Sequence, residues 1–524
     1  MWATFLKKKW LVLSIIVFVM AIAARLIPGP RTIDDAFITF RYARNLLAGN
    51  GFTYNPGVHI LGTTTPLYTL TMAFLGLFFG GLEAPFPTIA YVLNALLDGV
   101  TAILLLYIGR RLGYGRAGLG AALVWGILPF SVTFAIGGLE TSLYVLLLIG
   151  TFAALLDARY VLVGLLSGLA LLTRPDALIL ILPLGFDRLF FDRKRRRTPV
   201  KASELLAFFV PVVLWYGFAT LYFGSPLPHS ITAKTQAYQL PPNGALIRMT
   251  QHYATPFMGH LTFGTMWIGI GLVLYPFLYI IGGLKVFREA RYTWPVLLFP
   301  WFYFLAFTIP NPLIFRWYLT PPTPFYIFML LCGLELLLTQ IFKKDTQKPS
   351  RKRSFTAWQV ATILLVILIP FILPLREWRL HPDHGTDNPA PDMAWVRLEL
   401  LYQQAAEIVS THVEKSDESI TLAAGDVGVL GYYTPARILD TIGLNSEEPL
   451  DYYPVPQEMV AGMAYAIPPD LIFDYQPDYL VFPEIYIRNG LLKDVRFADQ
   501  YALLVKIETD IYDSEGMLIY VLQP

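Results

Sequence analysis

The stretch IDDAFITFRYARNLLAGNGFTYNPG, residues 33–57, decides how the chain is read. Its two adjacent carboxylates, Asp34 and Asp35, follow an apolar run long enough to cross a bilayer. An amphipathic pattern comes next. Asp34, Ile38 and Arg41 lie near one helical face, and Asp35, Thr39 and Tyr42 near another. Gly49, Gly51 and the turn-forming Asn55-Pro56-Gly57 then stop the helix. Two acids are thus predicted where a membrane helix meets water, on a helix lying along the surface. An acid in a first helical turn is ordinarily a cap or an interface anchor. One cap needs one Asp, and carboxylates beside lipid are costly enough to suggest function.

The 524 residues are 55% hydrophobic and only 15% charged, with a mean hydropathy of +0.52. A soluble globular chain carries about 25% charge, so this is the composition of a polytopic α-helical membrane protein. The net charge of +2 gives no basic footprint for nucleic acid. The single cysteine, Cys332, permits no intrachain disulfide and leaves the redox compartment unread. Lys7-Lys8-Lys9 before the first apolar run resembles the head of a signal peptide, and Ala21-Ile22-Ala23 has the look of a cleavage site. Cleavage there would untether the first outer loop, so the run is read as a retained span with its lysines in the cytoplasm.

Apolar runs recur at 10–27, 89–108, 117–136, 141–156, 160–172, 177–191, 205–223, 265–286, 294–309, 318–341 and 358–373. The fifth and sixth are short, and one long helix broken at Arg174-Pro175-Asp176 is the other reading. Positive charge decides between them. Arg110-Arg111, Arg193 to Arg197, Lys285 to Arg291 and Lys343 to Arg353 all fall on the cytoplasmic side if Arg174 sits at an outward-facing tip. The expectation is therefore about eleven spans in the plasma (inner) membrane, with the N-terminus inside and the C-terminus outside. The apolar segment 66–81 is too short to be a twelfth span and fits a helix at the outer interface, so interfacial helices are expected over 33–81.

This topology gathers the unusual residues on one side. Asp34, Asp35, Glu140, Arg174, His229, Lys234, Arg316 and Tyr318 all fall outside, whereas the inward loops are short and basic. Each has an ordinary reading. Arg316 and its aromatic neighbours can be anchors, His229 a loop hydrogen-bonder, and Asp176 the ion-pair partner of Arg174. The convergence of three cations and several acids on one face is what points to a site.

After residue 375 the charge rises and long apolar runs end. Residues 1–375 read as the membrane domain and 376–524 as an extracytoplasmic α/β domain. An amphipathic helix is predicted over 391–412 and strands over 420–424, 479–482, 502–507 and 517–522. Gly425-Asp426-Val427-Gly428 follows a strand, but its spacing is neither a dinucleotide nor a P-loop pattern. His381 and His384 lack the further ligands a zinc site requires.

These motifs resemble bacterial GT-C glycosyltransferases, most of all the terminal arabinofuranosyltransferases of actinobacterial cell-wall assembly. The resemblance is carried by Asp34-Asp35 through Tyr42, Asn50-Gly51-Phe52, Asn55-Pro56-Gly57, Gly138-Leu139-Glu140-Thr141, Thr173-Arg174-Pro175-Asp176, Leu227-Pro228-His229-Ser230, Ala233-Lys234 and Arg316-Trp317-Tyr318. Gly425-Asp426 with Gly428, and Leu439-Asp440 with Gly443-Leu444, extend it into the outer domain. His229 departs from the pattern, which would place Asn there. The resemblance implies a membrane glycosyltransferase with a polyprenyl-phosphate sugar as donor and an acid of the first outer loop as general base. Asp34 corresponds best to that acid, with Asp35 beside it.

The chemistry needs few parts. A carboxylate takes the proton of the attacking acceptor hydroxyl, belonging to a glycan, lipid or protein. Fixed cations stabilise the departing lipid phosphate, and Arg174, Lys234 and Arg316 are the candidates. Arg41, Glu140, His229 and Tyr318 are expected to contact substrate. One base without a carboxylate nucleophile implies inversion. The phosphate already activates the sugar, so no metal is obligatory, although Asp34 and Asp35 offer a divalent cation hard oxygen ligands. The competing expectation is a transporter or binding protein for a lipid or anionic substrate, whose mark would be charges near the bilayer midplane in repeated halves.

Overall fold

The computed structural model describes residues 8–191, 199–257, 260–341, 357–376, 378, 397–413, 420–461 and 465–524. Arg193 to Arg197, Lys343 to Arg353, His381, His384 and the start of the helix expected from 391 lie outside the described residues.

Each of the eleven apolar runs is helical, because long stretches of Leu, Ile, Val, Phe and Ala satisfy their own backbone in an apolar medium only as helix. By length and composition six of these helices can cross a membrane: Lys9–Leu26, Phe86–Arg111, Ala202–Phe223, Gly264–Glu289, Arg316–Ile341 and Ala357–Leu375. A bent pair, Gly115–Ile127 and Pro129–Ile136, makes a seventh if counted as one span. Thr141–Leu156 and Tyr160–Thr173 are apolar but shorter, as are Leu178–Phe186 and Trp294–Thr308.

The run expected as one straight helix over 117–136 bends by 46° at Leu128-Pro129. Pro129 has no N–H, so the Trp125 carbonyl four residues back loses its helical partner. The Ser131 hydroxyl donates to that carbonyl at 2.7 Å, and the buried Arg25 guanidinium donates to the Gly126 carbonyl at 2.6 Å. Asp98 balances the Arg25 charge at 2.8 Å. An ion pair inside the helical layer thus repairs a broken helix.

A second break separates Tyr160–Thr173 from Leu178–Phe186. Arg174 is extended and Pro175 starts a short 3-10 turn. The first helix packs on Ala202–Phe223 and the second on Trp294–Thr308, so the break holds Arg174 between two parts of the helical layer. The helix Pro66–Phe78 buries Tyr68, Met72 and Ala73 and exposes Leu70, Phe74, Leu77 and Phe78.

The C-terminal domain, expected outside the cytoplasm and called the outer domain on that expectation, is a five-stranded sheet of β1 (Thr421–Ala424), β2 (Arg437–Asp440), β3 (Tyr479–Pro483), β4 (Tyr501–Ile507) and β5 (Met517–Leu522), in the order β2-β1-β3-β5-β4. β2, β1 and β3 run parallel, while β5 is antiparallel to β3 and β4. β3 is buried along its whole length, as a central strand covered on both faces must be. The strand β2 was not foreseen, because four residues after Pro435-Ala436 carry too little periodicity. The helix Arg397–Val413 packs beside this sheet. One continuous apolar core joins Phe40, Tyr42, Phe52 and Tyr54 of the first outer loop to Leu401, Leu422, Leu430 and Ile438 of the outer domain.

Candidate active site

A cavity of about 470 Å³ opens where the Asp34–Leu47 helix, the breaks between helices and the outer domain meet. The Asp34–Leu47 helix is fixed at its entry: Arg31 N–H and Ile33 N–H donate to the Ile136 and Gly137 carbonyls, each at 2.9 Å. From its second position Asp35 lines the cavity, with Ile38 and Thr39 one turn on.

Asp34 faces elsewhere. Its carboxylate accepts the Gly428 and Val429 N–H groups of the outer domain at 2.9 and 2.7 Å, and its own N–H donates to Glu399 at 3.2 Å. This placement separates the two acids: adjacent helical residues point about 100° apart, so Asp35 reaches the cavity and Asp34, expected to be the base, meets the C-terminal domain. Burial and the nearby Asp426 push the Asp34 carboxyl up from its usual range, against the two N–H bonds.

Arg174 lies buried at the cavity wall between two carboxylates, Glu140 at 3.0 Å and Asp176 at 3.0 and 3.2 Å. Tyr303 donates to Asp176 at 2.8 Å, and the guanidinium stacks 4.8 Å from the Tyr318 ring. These carboxylates engage three of the five guanidinium N–H groups. Lys234, on the helix His229–Ala237, reaches the same cavity. Its ammonium lies 4.9 Å from the Phe315 ring, and no carboxylate among the described residues pairs with it. Burial lowers the proton affinity of this lysine, but Tyr318 and Asp35 outweigh it and the net shift is upward, so it stays a cation.

Three expected contacts lie off the cavity. Arg41 is buried and spends its donors on the Tyr54, Gly431 and Ala436 carbonyls and on Asn55. His229 uses Nδ1 as donor to the Gly443 carbonyl at 2.8 Å and its backbone N–H to Leu61. Arg316 does not line the cavity, though Phe315, Trp317 and Tyr318 around it do; its charge acts on Tyr512 of the outer domain. All three were singled out because they are polar residues in outer loops. Burying loop backbone against a second domain also needs polar residues, and the sequence does not separate the two uses.

Other lining residues escaped notice. Gly62-Thr63-Thr64-Thr65 presents a run of hydroxyls, held by the Tyr42 hydroxyl, which accepts the Gly62 N–H at 3.0 Å. Ser230 faces the same space with a buried hydroxyl that has no partner. Three successive threonines before a proline that begins a helix were the available signal. Ile231, Leu240, Phe307, Pro310, Pro312 and Leu313 give the cavity an apolar lining. Leu444 closes the rim from a loop that Asp440 stiffens, its carboxylate accepting the Ile442, Gly443 and Asn445 N–H groups at 2.9–3.1 Å.

A family model described as a domain of unknown function, DUF8728, matches residues 394–520. No curated protein matches the chain in sequence. Among solved structures, the Archaeoglobus fulgidus oligosaccharyltransferase tethered to an acceptor peptide is similar over 99% of this chain and 75% of its own, at 13% identity and a TM-score of 0.55. ArnT from Cupriavidus metallidurans bound to undecaprenyl phosphate is similar over 98% of both chains, at 14% identity and a TM-score of 0.54. At such identities the likeness is one of fold: a helical membrane layer carrying an outer domain, as in GT-C enzymes.

Proposed function

We propose that this chain is a membrane glycosyltransferase that moves a sugar from a polyprenyl-phosphate donor to an acceptor hydroxyl outside the cytoplasm. The observation that carries the reading is one cavity lined by a carboxylate, Asp35, a cation with no carboxylate partner among the described residues, Lys234, a run of threonines and a set of apolar side chains. The fold it shares with an enzyme crystallised on undecaprenyl phosphate supports the donor class. We read the eleven helical runs, of which six or seven are long and apolar enough to span, as about eleven crossings, with the loop charges placing the N-terminus inside.

In this reading Asp35 accepts the proton of the acceptor hydroxyl as its oxygen attacks the anomeric carbon. The bond from that carbon to the phosphate oxygen breaks, its electron pair stays on the phosphate, and the configuration inverts. Lys234 and the remaining N–H groups of Arg174 stabilise the released charge, which is strongest where water is excluded. Glu140 and Asp176 hold Arg174, and Tyr318 stacks on it. The apolar lining takes the first isoprene units. A lipid monophosphate leaves without the metal clamp of a nucleoside diphosphate, so the reaction is assigned no obligatory metal.

The test is transfer by the purified protein in detergent from polyprenyl-phosphate pentose and hexose donors, read as released polyprenyl phosphate. Asp35→Asn is expected to cost at least about 100-fold in rate with donor binding retained. Wild-type turnover by that variant would remove Asp35 from the role.

A further inference from the structure

The Asp34–Leu47 helix presents two sides with different partners. Asp35 and Thr39 face the cavity, whereas Asp34, Arg41 and Arg44 face the outer domain. The element they meet is the short helix Gly428–Tyr433, within the region matched by the domain of unknown function.

The contact leaves no room for a Cβ at Gly428 without moving backbone, and none at Gly431 without moving the Tyr54 and Arg41 side chains. A Cβ at Gly428 would lie 1.8 Å from the Asp34 carbonyl oxygen. One at Gly431, a helical turn later, would lie 2.0 Å from the Tyr54 hydroxyl and 2.6 Å from Arg41 Nη1. Without a Cβ the Gly428 backbone meets that of Asp34, and near Gly431 polar side chains reach the carbonyls directly. Arg41 donates to the Gly431 and Ala436 carbonyls at 2.6 and 3.1 Å, Arg44 to Tyr432 at 2.8 Å, and the Tyr54 hydroxyl to Val427 at 2.6 Å. The Asn55 side chain accepts the Ile438 N–H at 3.1 Å and donates to the Ile438 carbonyl at 2.8 Å. Ile438 belongs to β2, the edge strand, so the loop covers an edge that would otherwise stand open.

We infer that this part of the outer domain is an indexing clamp: the Gly428–Tyr433 helix grips the Asp34–Leu47 helix through Asp34 and Arg41 and thereby fixes the direction in which Asp35 enters the cavity. Asp34 is then a positioning residue, and the domain of unknown function has a task in this chain. A loose tether would not need two bare glycines, a buried guanidinium and a capped sheet edge. Rigid support matters because a displacement of about 1 Å of a reacting group costs on the order of 100-fold in rate. The clamp stands on contacts alone; only its consequence for turnover rests on the reading of Asp35 as base.

The full-length protein in detergent is compared with its Gly428→Ala, Asp34→Asn and Tyr54→Phe variants by hydrogen exchange over residues 34–47 and by transfer kinetics. Gly428→Ala and Asp34→Asn are expected to speed exchange across that helix. They are also expected to lower kcat by about 10- to 100-fold with donor KM within about threefold, leaving the acid limb of the pH profile in place because Asp35 remains. Tyr54→Phe, which removes only one hydroxyl, gives a smaller change of the same kind and serves if Gly428→Ala does not fold. Unchanged exchange in Gly428→Ala, or in Tyr54→Phe where the former does not fold, overturns the clamp. Abolished transfer in Asp34→Asn with full transfer in Gly428→Ala makes Asp34 the base and also overturns it. If no donor supports turnover even in the wild type, the transferase reading fails while the exchange result still decides the clamp.

Discussion

Arg174 donates to Glu140 across 3.0 Å, joining the break after the Tyr160–Thr173 helix to the residue that precedes the Thr141–Leu156 helix. With Asp176 on its other side, the guanidinium offsets one buried carboxylate and one part-buried one. Removing one partner of such a cluster strands the others, at about 3–5 kcal/mol. Arg174→Ala is therefore expected to lose both fold stability and transfer. Adding Glu140→Gln and Asp176→Asn restores stability, since amides need no counter-charge, but not transfer. Thermal unfolding and turnover of both variants separate the structural role from the one at the phosphate.

Lys234 gives a cleaner handle, because it makes no direct ion pair with a carboxylate among the described residues. Lys234→Met keeps the stem that packs near Phe315 and deletes the charge. Losing a charge-assisted hydrogen bond of about 1.5–3 kcal/mol weakens binding of undecaprenyl phosphate by about 10- to 100-fold. Lys234→Arg is expected to retain most of the affinity. Equal binding by all three proteins in a titration monitored by native mass spectrometry would exclude phosphate recognition by Lys234.

The interface around Asp34 is expected to respond to pH. Burial raises the Glu399 carboxyl from 4.5 to about 8, and that of Asp426 to about 6. Between about pH 4.5 and 8 the folded chain holds a proton on Glu399 that the unfolded chain has released. Stability is then fully present below the unfolded value and declines as pH rises through that window, by on the order of a few kcal/mol. Asp426 adds a decline of the same sign nearer pH 4 to 6. Glu399→Gln removes the first contribution, so its melting temperature should vary less between pH 5 and 8. A variant as pH-sensitive as the wild type would contradict a buried protonated Glu399.

Much of this arrangement was legible in the residues, for a physical reason. Helical spacing separated Asp34 and Arg41 from Asp35 and Thr39 before any coordinates, because a period of 3.6 residues sorts faces without knowing their partners. Which face met the cavity depended on the outer domain, almost four hundred residues away, and resemblance favoured Asp34, the carboxylate that does not line the cavity. Arg174 and Asp176 were paired by proximity in sequence. His229 and Arg41 were not separable from substrate contacts, since a buried loop carbonyl and a sugar hydroxyl accept from the same side chains. The bend at Pro129 was missed although its proline was visible, because hydropathy averages over a break that an ion pair conceals.

That ion pair supports a last prediction. Arg25 bonds Asp98 and also donates to the Ala21 and Gly126 carbonyls and the Ser131 hydroxyl, all within the helical layer. Arg25→Ala removes the charge balance of Asp98 and the donor that the bend requires, and about 3–5 kcal/mol is expected to be lost. Arg25→Met with Asp98→Leu removes both charges and restores apolar packing. It recovers only part of the loss, because the Gly126 carbonyl still lacks a donor, at about 1–3 kcal/mol. The single variants Arg25→Met and Asp98→Leu and the double one form a cycle whose coupling energy isolates the ion pair from the repair of the helix. Full recovery in the double variant would mean that Arg25 serves Asp98 alone and that Ser131 suffices to hold the broken helix.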